Sequence, residues 1–517
     1  MINIFKKITV IARSSVKFIV LAILSIFFIL AAIAYFYNPT YAVSLNGEVI
    51  GYTENKSALQ EKINKYISSN EEENVAFVQV DAMPTYKLCL LKKDVEINED
   101  VTVIKVKSSR RALAFMSAAY FKYPAKKLTT IGITGTCGKT STSYIIKSML
   151  EAAGNKVGVI GTICAMVNDK KIETHNTTPN SYEIQKLFSQ MVEAGCKYAV
   201  MEVSSQGLKM DRVVGIEFDY GIFTNLSVDH IGPNEHESFE EYMYCKSLLF
   251  KQCKVGIVNC DSDKWMKVTK DHTCEIVKYG LESDEAEIKA SNIEFIMEND
   301  FFGVKFDVSG KVNGTFKLDI PGRFSVYNAL CAITVANELG IDTESMKKAL
   351  ESVKVAGRME LVSSSNKYKL IVDYAHNKLS FEKLFSAMKE EFPDYGLVAI
   401  FGCPGKKSLL RRKYLGTIAG QYSNMVYLVA EDPGYEPVED ISKEIAQYVE
   451  AQHCPYKMIE DRGEAIKDAI ETAEGKTLLL VTGKGAETRQ KYGCEYLDCP
   501  SDVEYVQRYL AEYDSRH

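Results

Sequence analysis

The stretch TTIGITGTCGKTS, residues 129–141, decides the fold. Its first part, Thr129–Thr134, has the apolar and β-branched composition of a buried strand. A glycine-rich loop follows, then Lys139-Thr140, and then a helix predicted to run through Ala153. Glycines let backbone N–H groups approach phosphate oxygens closely, and the helix N-terminus adds a positive field. Strand, loop, Lys-Thr and helix in this order predict a P-loop that binds ATP.

The loop itself supplies the first predicted ATP contacts, which are Gly135, Thr136, Cys137, Gly138, Lys139, Thr140 and Ser141. In this arrangement Lys139 neutralises charge on the β- and γ-phosphates and the Thr140 hydroxyl holds Mg²⁺. Five residues separate Gly132 from Gly138, one more than in the general P-loop motif. The alternative is a glycine-rich turn without a ligand, but Lys-Thr directly after the second glycine favours the phosphate site.

Apolar strands alternate with amphipathic helices through the rest of the chain. The predicted strands are Thr129–Thr134, Tyr198–Val203, Tyr220–Leu226, Gly256–Asn259, Lys369–Asp373, Leu397–Phe401, Met425–Val429 and Leu478–Thr482. This alternation predicts an α/β fold whose parallel sheets are covered by helices on both faces. We predict a central ATP-binding P-loop domain at 112–355 and a C-terminal Rossmann-like α/β domain at 356–517. A small α+β module, with short strands such as Tyr41–Leu45, Val75–Val80 and Tyr86–Leu91, precedes them at 38–111.

The composition is that of an ordinary globular protein with several domains. The 517 residues include 62 Lys+Arg and 68 Asp+Glu, a formal net charge of −6, and 46% are hydrophobic. These values exclude disordered and collagen-like classes, and the slight negative charge gives no reason to expect binding to nucleic acid. The 13 Cys follow no regular spacing, which favours a reducing compartment over a disulfide framework.

An apolar segment without charges lies near the N-terminus, at residues 18–37. As a helix, its 20 residues would cross a hydrocarbon core of roughly 30 Å. We therefore predict that residues 1–37 form a basic flank and one transmembrane helix. A cleaved secretory signal is the alternative, since Ala32-Ile33-Ala34 resembles a cleavage site. The basic flank favours an N-terminus inside the cell, which conflicts with an ATP-using domain on the other side.

More than ten short motifs follow one another along the chain. They are TGTCGKTS (134–141), VGVIGT (157–162), NTTPNS (176–181), MEVSSQGL (201–208), FTNLSVDH (223–230), YCKSLLF (244–250), PGRFSVYNAL (321–330), GRMELV (357–362), VDYAHN (372–377), FGCPG (401–405) and GKGAET (483–488). In this order they resemble the Mur ligase family, ATP-dependent enzymes that join an amino acid to a carboxylate. The resemblance extends from about Ala112 to Glu487, over two-thirds of the chain.

The resemblance implies a catalytic and metal-binding group. The matching catalytic positions are Lys139, Glu202, His230 and Lys246, and the metal ligands are Thr140, Glu202, His230 and a carbamylated Lys246. Oxygen ligands with one imidazole suit Mg²⁺, and two ions are expected. A structural histidine and a surface lysine on an amphipathic helix are the alternatives for His230 and Lys246.

Further positions match the family's nucleotide and substrate contacts. The nucleotide contacts are Asn328, Arg358, Asp373, Tyr374 and His376. Thr177, Thr178, Ser204 and Arg212 match contacts to the nucleotide-sugar substrate, and Asp432 and Glu487 match the site of the incoming amino acid. Arg358 as a surface salt-bridge residue, and Thr177-Thr178 as an ordinary helix start, are the alternatives.

The resemblance also implies the reaction. A substrate carboxylate attacks the γ-phosphate of ATP, and the amine of an amino acid then attacks the resulting acyl phosphate. The expected substrates are ATP, UDP-MurNAc-dipeptide and an amino acid, with Mg²⁺ as cofactor and no nucleic-acid partner. We expect a monomer attached to the membrane through residues 18–37, with its ligase domains at the cytoplasmic face.

Several positions depart from the family's pattern. Cys137, Gln206, Met210 and Ala486 replace Asn, His, a polar residue and His, respectively. Gly434 stands where diaminopimelate-specific members carry an arginine that clamps a distal carboxylate, so diaminopimelate is disfavoured. The family's uridine-binding Ser-Arg motif is not found before residue 105. Two alternatives therefore stay open: an amide ligase of this fold with another carboxylate acceptor, and a membrane-tethered ATP-binding protein without turnover.

Overall fold

The computed structural model describes residues 26–27, 35–45, 48–61, 85–92, 106–174, 176–232, 235–298, 301–364 and 368–516. The chain divides into two compact units, residues 1–106 and 107–517. In the first unit, β1 (Tyr37–Leu45) pairs antiparallel with β2 (Glu48–Thr53) and β3 (Thr85–Lys92). Two of the predicted short strands lie inside β1 and β3. The third, Val75–Val80, lies outside the described residues.

The prediction of a membrane-anchored protein is corrected here. Among the described residues, none of the helices combines the length and the apolar character that crossing a membrane requires. Most of the apolar run 18–37 lies outside the described residues, and its last residue, Tyr37, already belongs to strand β1. The predicted membrane partner and the predicted location at the cytoplasmic face are therefore withdrawn.

The second unit consists of two large sheets with helices on their faces. Its helices are α1 (Ser109–Tyr120), α2 (Lys139–Ala152), α3 (Ser181–Glu193), α4 (Ser205–Lys209), α5 (Phe239–Ser247), α6 (Trp265–Val268), α7 (Arg323–Glu338), α8 (Thr343–Ser352), α9 (Lys378–Glu391), α10 (Leu410–Tyr422), α11 (Val438–Glu450), α12 (Arg462–Thr472) and α13 (Asp502–Asp514). Short 3₁₀ turns lie at Pro124–Lys127 and Leu248–Lys251.

The strands of this unit continue the numbering. They are β4 (Thr129–Thr134), β5 (Val157–Ile160), β6 (Ala165–Val167), β7 (Lys170–Ile172), β8 (Tyr198–Glu202), β9 (Phe218–Phe223), β10 (Cys253–Asn259), β11 (Glu275–Gly280), β12 (Ile288–Glu298), β13 (Phe301–Gly310), β14 (Gly314–Leu318), β15 (Glu360–Ser364), β16 (Tyr368–Asp373), β17 (Gly396–Phe401), β18 (Met425–Leu428), β19 (Tyr456–Met458), β20 (Thr477–Thr482), β21 (Arg489–Tyr492) and β22 (Glu495–Asp498).

The larger sheet has β4 near its centre, in the order β14-β13-β12-β11-β10-β9-β4-β8-β5-β6-β7. The strands from β12 to β5 in this order are parallel, and the pairs beyond them are antiparallel. Every residue of β8 is buried, as continuous apolar strands between two helical layers require. In the parallel register Ile133 lies beside Glu202 and Thr134 beside Phe223. The carboxyl ends of β8 and β9 therefore flank the loop that follows β4.

The second sheet has the order β15-β16-β20-β17-β18-β19, with only β15 antiparallel among its described strands. Asp373, at the end of β16, pairs in register with Thr482, at the end of β20. Both sheets confirm the predicted α/β class with parallel strands, and all eight predicted strands are found in them. In the larger-sheet region, α2 packs against α7 and α8, which brings Asn328 of α7 to the start of α2.

Candidate active site

The loop between β4 and α2 is shaped by two glycines whose side-chain space is already filled. A Cβ added to Gly135 would lie 2.0 Å from Thr224 Oγ1, and one added to Gly138 would lie 2.4 Å from Asn328 Oδ1. Gly138 also has φ of +87°, a conformation that favours glycine. The Cys137 N–H donates to Asn225 Oδ1 at 3.0 Å. Here residue 137 is held through its backbone.

Thr140 and Glu202, both predicted as metal ligands, are in direct contact. The Thr140 hydroxyl donates to Glu202 Oε2 at 3.0 Å, and Thr162 donates to the same carboxylate through its N–H and its hydroxyl, each at 3.0 Å. Arg358 Nη2 donates to Thr140 Oγ1 at 3.2 Å. Glu202 is fully buried, so its negative charge needs such partners. A hydroxyl and a carboxylate are hard oxygen ligands, and this pair fits Mg²⁺.

Two lysine side chains converge on one carbonyl of the loop. Lys139 Nζ donates to Gly135 O at 3.0 Å and to Thr136 O at 3.2 Å, and Lys246 Nζ donates to Gly135 O at 2.9 Å. Lys246 is 1% exposed and lies over the Tyr242 ring. Burial, and secondarily the charge of Lys139, hold the pKa of Lys246 well below its usual range. A lysine that is easily deprotonated is the form that reacts with CO₂.

His230 contacts a carboxylate other than that of Glu202. It has φ of +53°, and its Nδ1 lies 3.0 Å from Glu235 Oε1. In the part of the chain that the structure describes, no hydrogen bond or ion pair joins His230 to Glu202. Its neighbour Asp229 is buried, and Asp229 Oδ1 accepts from Arg411 Nε at 3.1 Å and from Arg411 Nη2 at 2.8 Å.

The predicted nucleotide contacts of the second sheet meet at the end of β16. Asp373 is surrounded by backbone donors, accepting from Met359 N at 2.8 Å and from Ala375 N at 2.7 Å. The Arg358 guanidinium lies 3.9 Å from the centre of the Tyr374 ring, a cation–π contact. His376 Nδ1 lies 2.8 Å from Tyr374 O, and burial lowers the pKa of His376 to about 3. This histidine is therefore neutral at physiological pH.

The residues predicted to bind the nucleotide sugar form one hydrogen-bonded group beside Glu202. Thr178 Oγ1 donates to Glu202 O at 2.8 Å and accepts from Ser204 N at 2.9 Å, and Arg212 Nη1 donates to Thr178 O at 2.7 Å. Thr177 Oγ1 lies 3.1 Å from Thr162 Oγ1. This arrangement links the acceptor-side residues directly to the candidate metal ligands.

Asp432 and Glu487, predicted to meet the amino acid, share a buried lysine. Lys484 Nζ lies 3.0 Å from Asp432 Oδ1 and 2.7 Å from Glu487 Oε2. Burial favours the neutral amine, but the two carboxylates outweigh it and hold the pKa of Lys484 above its usual range. Tyr374 OH donates to Glu487 Oε1 at 2.6 Å. A pocket opens here whose acidic and basic lining side chains are Glu460, Asp461, Arg462, Lys484, Glu487 and Asp502.

Residues of this region that were not predicted as site residues include Asn225, Asn377, Arg411 and Lys484. Asn225, Asn377 and Lys484 lie inside the motifs quoted above, so the sequence could have indicated them as site residues. Asn377 Nδ2 donates to Asp229 Oδ2 at 3.2 Å, so it acts beside Arg411. Arg411 lies outside every motif, and only the fold brings it to Asp229.

Comparisons with known proteins find matches over most of the second unit. Family profiles match residues 133–336 as a Mur ligase middle domain and residues 357–485 as a Mur ligase, glutamate ligase domain. The UDP-N-acetylmuramoyl-L-alanyl-D-glutamate–2,6-diaminopimelate ligase of Caldanaerobacter subterraneus subsp. tengcongensis is 40% identical over 423 residues, 81% of this chain and 86% of that protein.

Two solved structures share the fold. One is a UDP-N-acetylmuramoyl-L-alanyl-D-glutamate–2,6-diaminopimelate ligase, with a TM-score of 0.55, 24% identity, and coverage of 78% of this chain and 83% of that one. The other is the folylpolyglutamate synthase of Mycobacterium tuberculosis, with a TM-score of 0.59, 16% identity, and coverage of 72% and 92%, respectively.

Proposed function

The chain belongs to the Mur ligase family of ATP-dependent, ADP-forming ligases. On this basis we propose which of its residues bind each substrate. It adds an amino acid to the D-glutamyl carboxylate of UDP-N-acetylmuramoyl-L-alanyl-D-glutamate, in peptidoglycan precursor synthesis. The observation that carries this assignment is the hydrogen-bonded chain from Arg358 through Thr140 and Glu202 to Thr178. It connects the P-loop to the acceptor-side residues in one continuous arrangement.

The P-loop side holds the phosphates. When ATP binds, the Lys139 ammonium group leaves the loop carbonyls that it now contacts and donates to phosphate oxygens instead. The loop N–H groups and the N-terminus of α2 supply further positive potential. Thr140 and Glu202 would hold one Mg²⁺, which would supply positive charge beside the phosphates. A second ion would be held by His230 and a carbamylated Lys246. Arg358 and Tyr374 close the nucleotide site from the second sheet, with Arg358 already reaching Thr140 at 3.2 Å.

The acceptor side orients the reacting carboxylate. Thr178, Ser204 and Arg212 are fixed to each other and to the backbone of Glu202. A carboxylate held here is placed beside the phosphate site, and positioning of this kind supplies much of the acceleration in phosphoryl transfer. The acyl phosphate then reacts with the amine of the amino acid, which Glu487 and Asp432 orient through their negative charge.

The amino acid that best fits the pocket is L-lysine. Gly434, with φ of +58°, offers no cation to a distal carboxylate, and Lys484 is already paired with Asp432 and Glu487. Glu460 and Asp461 line the same pocket and can accept a distal ammonium group. The second candidate is 2,6-diaminopimelate, because the 40%-identical relative is named as a ligase of that amino acid.

ADP release by the full chain tests the assignment. The assay supplies Mg-ATP, UDP-MurNAc-L-Ala-D-Glu, and either L-lysine or meso-diaminopimelate, with Lys139→Ala as the matched control. Release that needs both co-substrates and is lost in Lys139→Ala is expected, with L-lysine the better amine. Release with folate-type or other glutamyl carboxylates instead would move the assignment to a different acceptor. ATP binding without release under any combination would contradict the proposed reaction.

A further inference from the structure

Three side chains with metal-binding atoms, none of them used in the proposed reaction, meet along α5. Glu241 and Cys245 are four residues apart on α5 and therefore share a face. His236 precedes the helix and is 0% exposed. One ligand atom from each of His236, Glu241 and Cys245 can be chosen so that all lie within 4.8 Å of one another.

His236 is oriented as a ligand would be. Its Nε2 lies 2.9 Å from Ser205 Oγ, so the ring can donate from Nε2 and keep a lone pair on Nδ1. Nδ1 is buried and has no hydrogen-bond partner among the described residues, which is costly for a polar atom removed from water. The same Nδ1 lies 3.6 Å from Glu241 Oε2. A hydrogen bond on the far ring nitrogen is the usual support of a metal-bound histidine.

We propose that His236 Nδ1, a Glu241 carboxylate oxygen and Cys245 Sγ bind Zn²⁺, with water as the fourth ligand. Two ligand atoms on a tetrahedral zinc ion lie about 3.5 Å apart. The 3.6 Å between His236 Nδ1 and Glu241 Oε2 matches this spacing. Because the group lies within 4.8 Å, a shift of at most roughly 1.3 Å brings any two ligand atoms to this spacing. The thiolate sulfur in this set favours Zn²⁺ over Mg²⁺, because Mg²⁺ takes mainly oxygen ligands and does not favour soft sulfur.

One cation competes for the site. Lys209 Nζ lies 2.8 Å from Glu241 Oε1, and it also donates to Glu235 O at 3.2 Å. The Lys209 side chain is 32% exposed and that of Glu241 is 29% exposed, so the ion has a path from solvent and the ammonium can move aside. On binding, Zn²⁺ takes the place of the ammonium at Glu241 and of the thiol proton on Cys245, which goes to solvent. Removing Lys209 should then tighten zinc binding.

Zinc affinity of the metal-stripped full chain tests this site, measured by titrating Zn²⁺ alone against a chromophoric chelator. We expect one Zn²⁺ per chain, with affinity at least about tenfold weaker in Cys245→Ser and His236→Gln and tighter in Lys209→Ala. Cys454→Ser is the matched control, because Cys454 is buried and its Sγ donates to Ser423 O at 3.2 Å, as a serine hydroxyl can. Co²⁺ in place of Zn²⁺ should give a thiolate charge-transfer band that Cys245→Ser abolishes.

The proposal is overturned by either of two results. One is an affinity in Cys245→Ser or Glu241→Gln equal to that of the unaltered chain. The other is the absence of stoichiometric binding or of the cobalt–thiolate band. Glu241→Gln and Lys209→Ala alter partly exposed side chains, so they report on the site even if a substitution at buried Cys245 or His236 prevents folding. Near-ultraviolet circular dichroism of each variant without metal identifies such a failure.

Discussion

The ion pair between Asp229 and Arg411 is expected to be among the most important single contacts between the two large sheets. Asp229 follows β9 of the larger sheet, and Arg411 lies in α10 beside the second sheet. Arg411 donates twice to Asp229 Oδ1, and the side chains are 11% and 3% exposed, respectively. The second oxygen, Oδ2, accepts from Asn377. Replacing Arg411 by alanine removes both guanidinium donors from this buried carboxylate.

The expected loss follows from that burial. Breaking a buried ion pair by removing one partner costs about 3–5 kcal/mol, because an uncompensated charge remains. Arg411→Ala and Asp229→Ala should each destabilise the chain by that amount, and the double variant should lose less than their sum. We expect a coupling energy of at least about 2 kcal/mol. Glu439 and Lys443, 2.7 Å apart but 70% and 56% exposed, form the control pair, with coupling below about 0.5 kcal/mol.

Urea unfolding measures these energies with two probes. Fluorescence of Trp265, the single tryptophan, reports on the region of the larger sheet, and far-ultraviolet circular dichroism reports on the whole chain. In Arg411→Ala the two transitions should separate, since the contact between the sheets is weakened. Coupling no larger than that of the Glu439–Lys443 control, with coincident transitions in all variants, would refute the reasoning.

The same pair has a pH dependence with a definite sign. Burial by itself raises the pKa of Asp229, but Arg411, together with His230 and His376, outweighs burial and holds the pKa well below its usual range. A carboxyl whose pKa is lower in the folded chain than in the unfolded chain stabilises the fold at pH values above the unfolded pKa of about 3.9. This stabilisation is lost as the pH falls through the folded pKa. The stability difference between the unaltered chain and Asp229→Ala should therefore be constant at neutral pH and shrink below about pH 4.

The other predictions concern catalysis and one buried acid. Lys139→Ala should abolish ADP release in a coupled assay, while its Tm changes little. In the same assay Lys246→Ala should lose turnover and regain part of it when a short-chain carboxylate is added. Gly138→Ala places a Cβ 2.4 Å from Asn328 Oδ1 and should abolish nucleotide binding in calorimetry. Burial raises the pKa of Glu391 to about 8, so its carboxyl destabilises the fold progressively from about pH 4.5 to pH 8. Glu391→Gln should raise the free energy of unfolding by up to about 5 kcal/mol at pH 9 and by much less at pH 5. Urea unfolding at pH 5 and at pH 9 measures this difference.

Much of the second unit could be predicted because its strands are local apolar runs. Thr129–Thr134 matches β4 in full, and the other seven predicted strands match to within a few residues, since continuous apolar segments between helices mark buried parallel strands. The antiparallel extension β12–β14 was not predicted. Its longest strand, Ile288–Glu298, mixes exposed polar residues with apolar ones, and such an irregular pattern carries a weak signal.

The site was predictable where it follows a motif and unpredictable where it depends on the fold. Thr140 and Glu202 lie 62 positions apart but meet because β4 and β8 are neighbours. Arg411 lies 182 positions from Asp229, and its own surroundings, Leu409-Leu410-Arg411-Arg412, suggest only an amphipathic helix. The membrane prediction rested on the length of the apolar run 18–37 alone, and the helices among the described residues do not support it.

The two lysines at Gly135 give the proposed carbamate a physical reason. Lys139 and Lys246 direct their ammonium groups to the same carbonyl oxygen, at 3.0 and 2.9 Å, and no carboxylate lies within ion-pair distance of Lys246 among the described residues. Two like charges in a buried place repel each other, so one amine is favoured in its neutral form. A neutral Lys246 can add CO₂, which turns the repelled cation into an anion. The proposed carbamate would then attract Lys139 instead of repelling it, and it would supply an oxygen ligand for the proposed second Mg²⁺ beside a nitrogen from His230. On this reasoning Lys139→Ala should raise the pKa of Lys246 and weaken carbamate formation, which ¹³CO₂ labelling followed by carbon NMR would detect as loss of the carbamate signal.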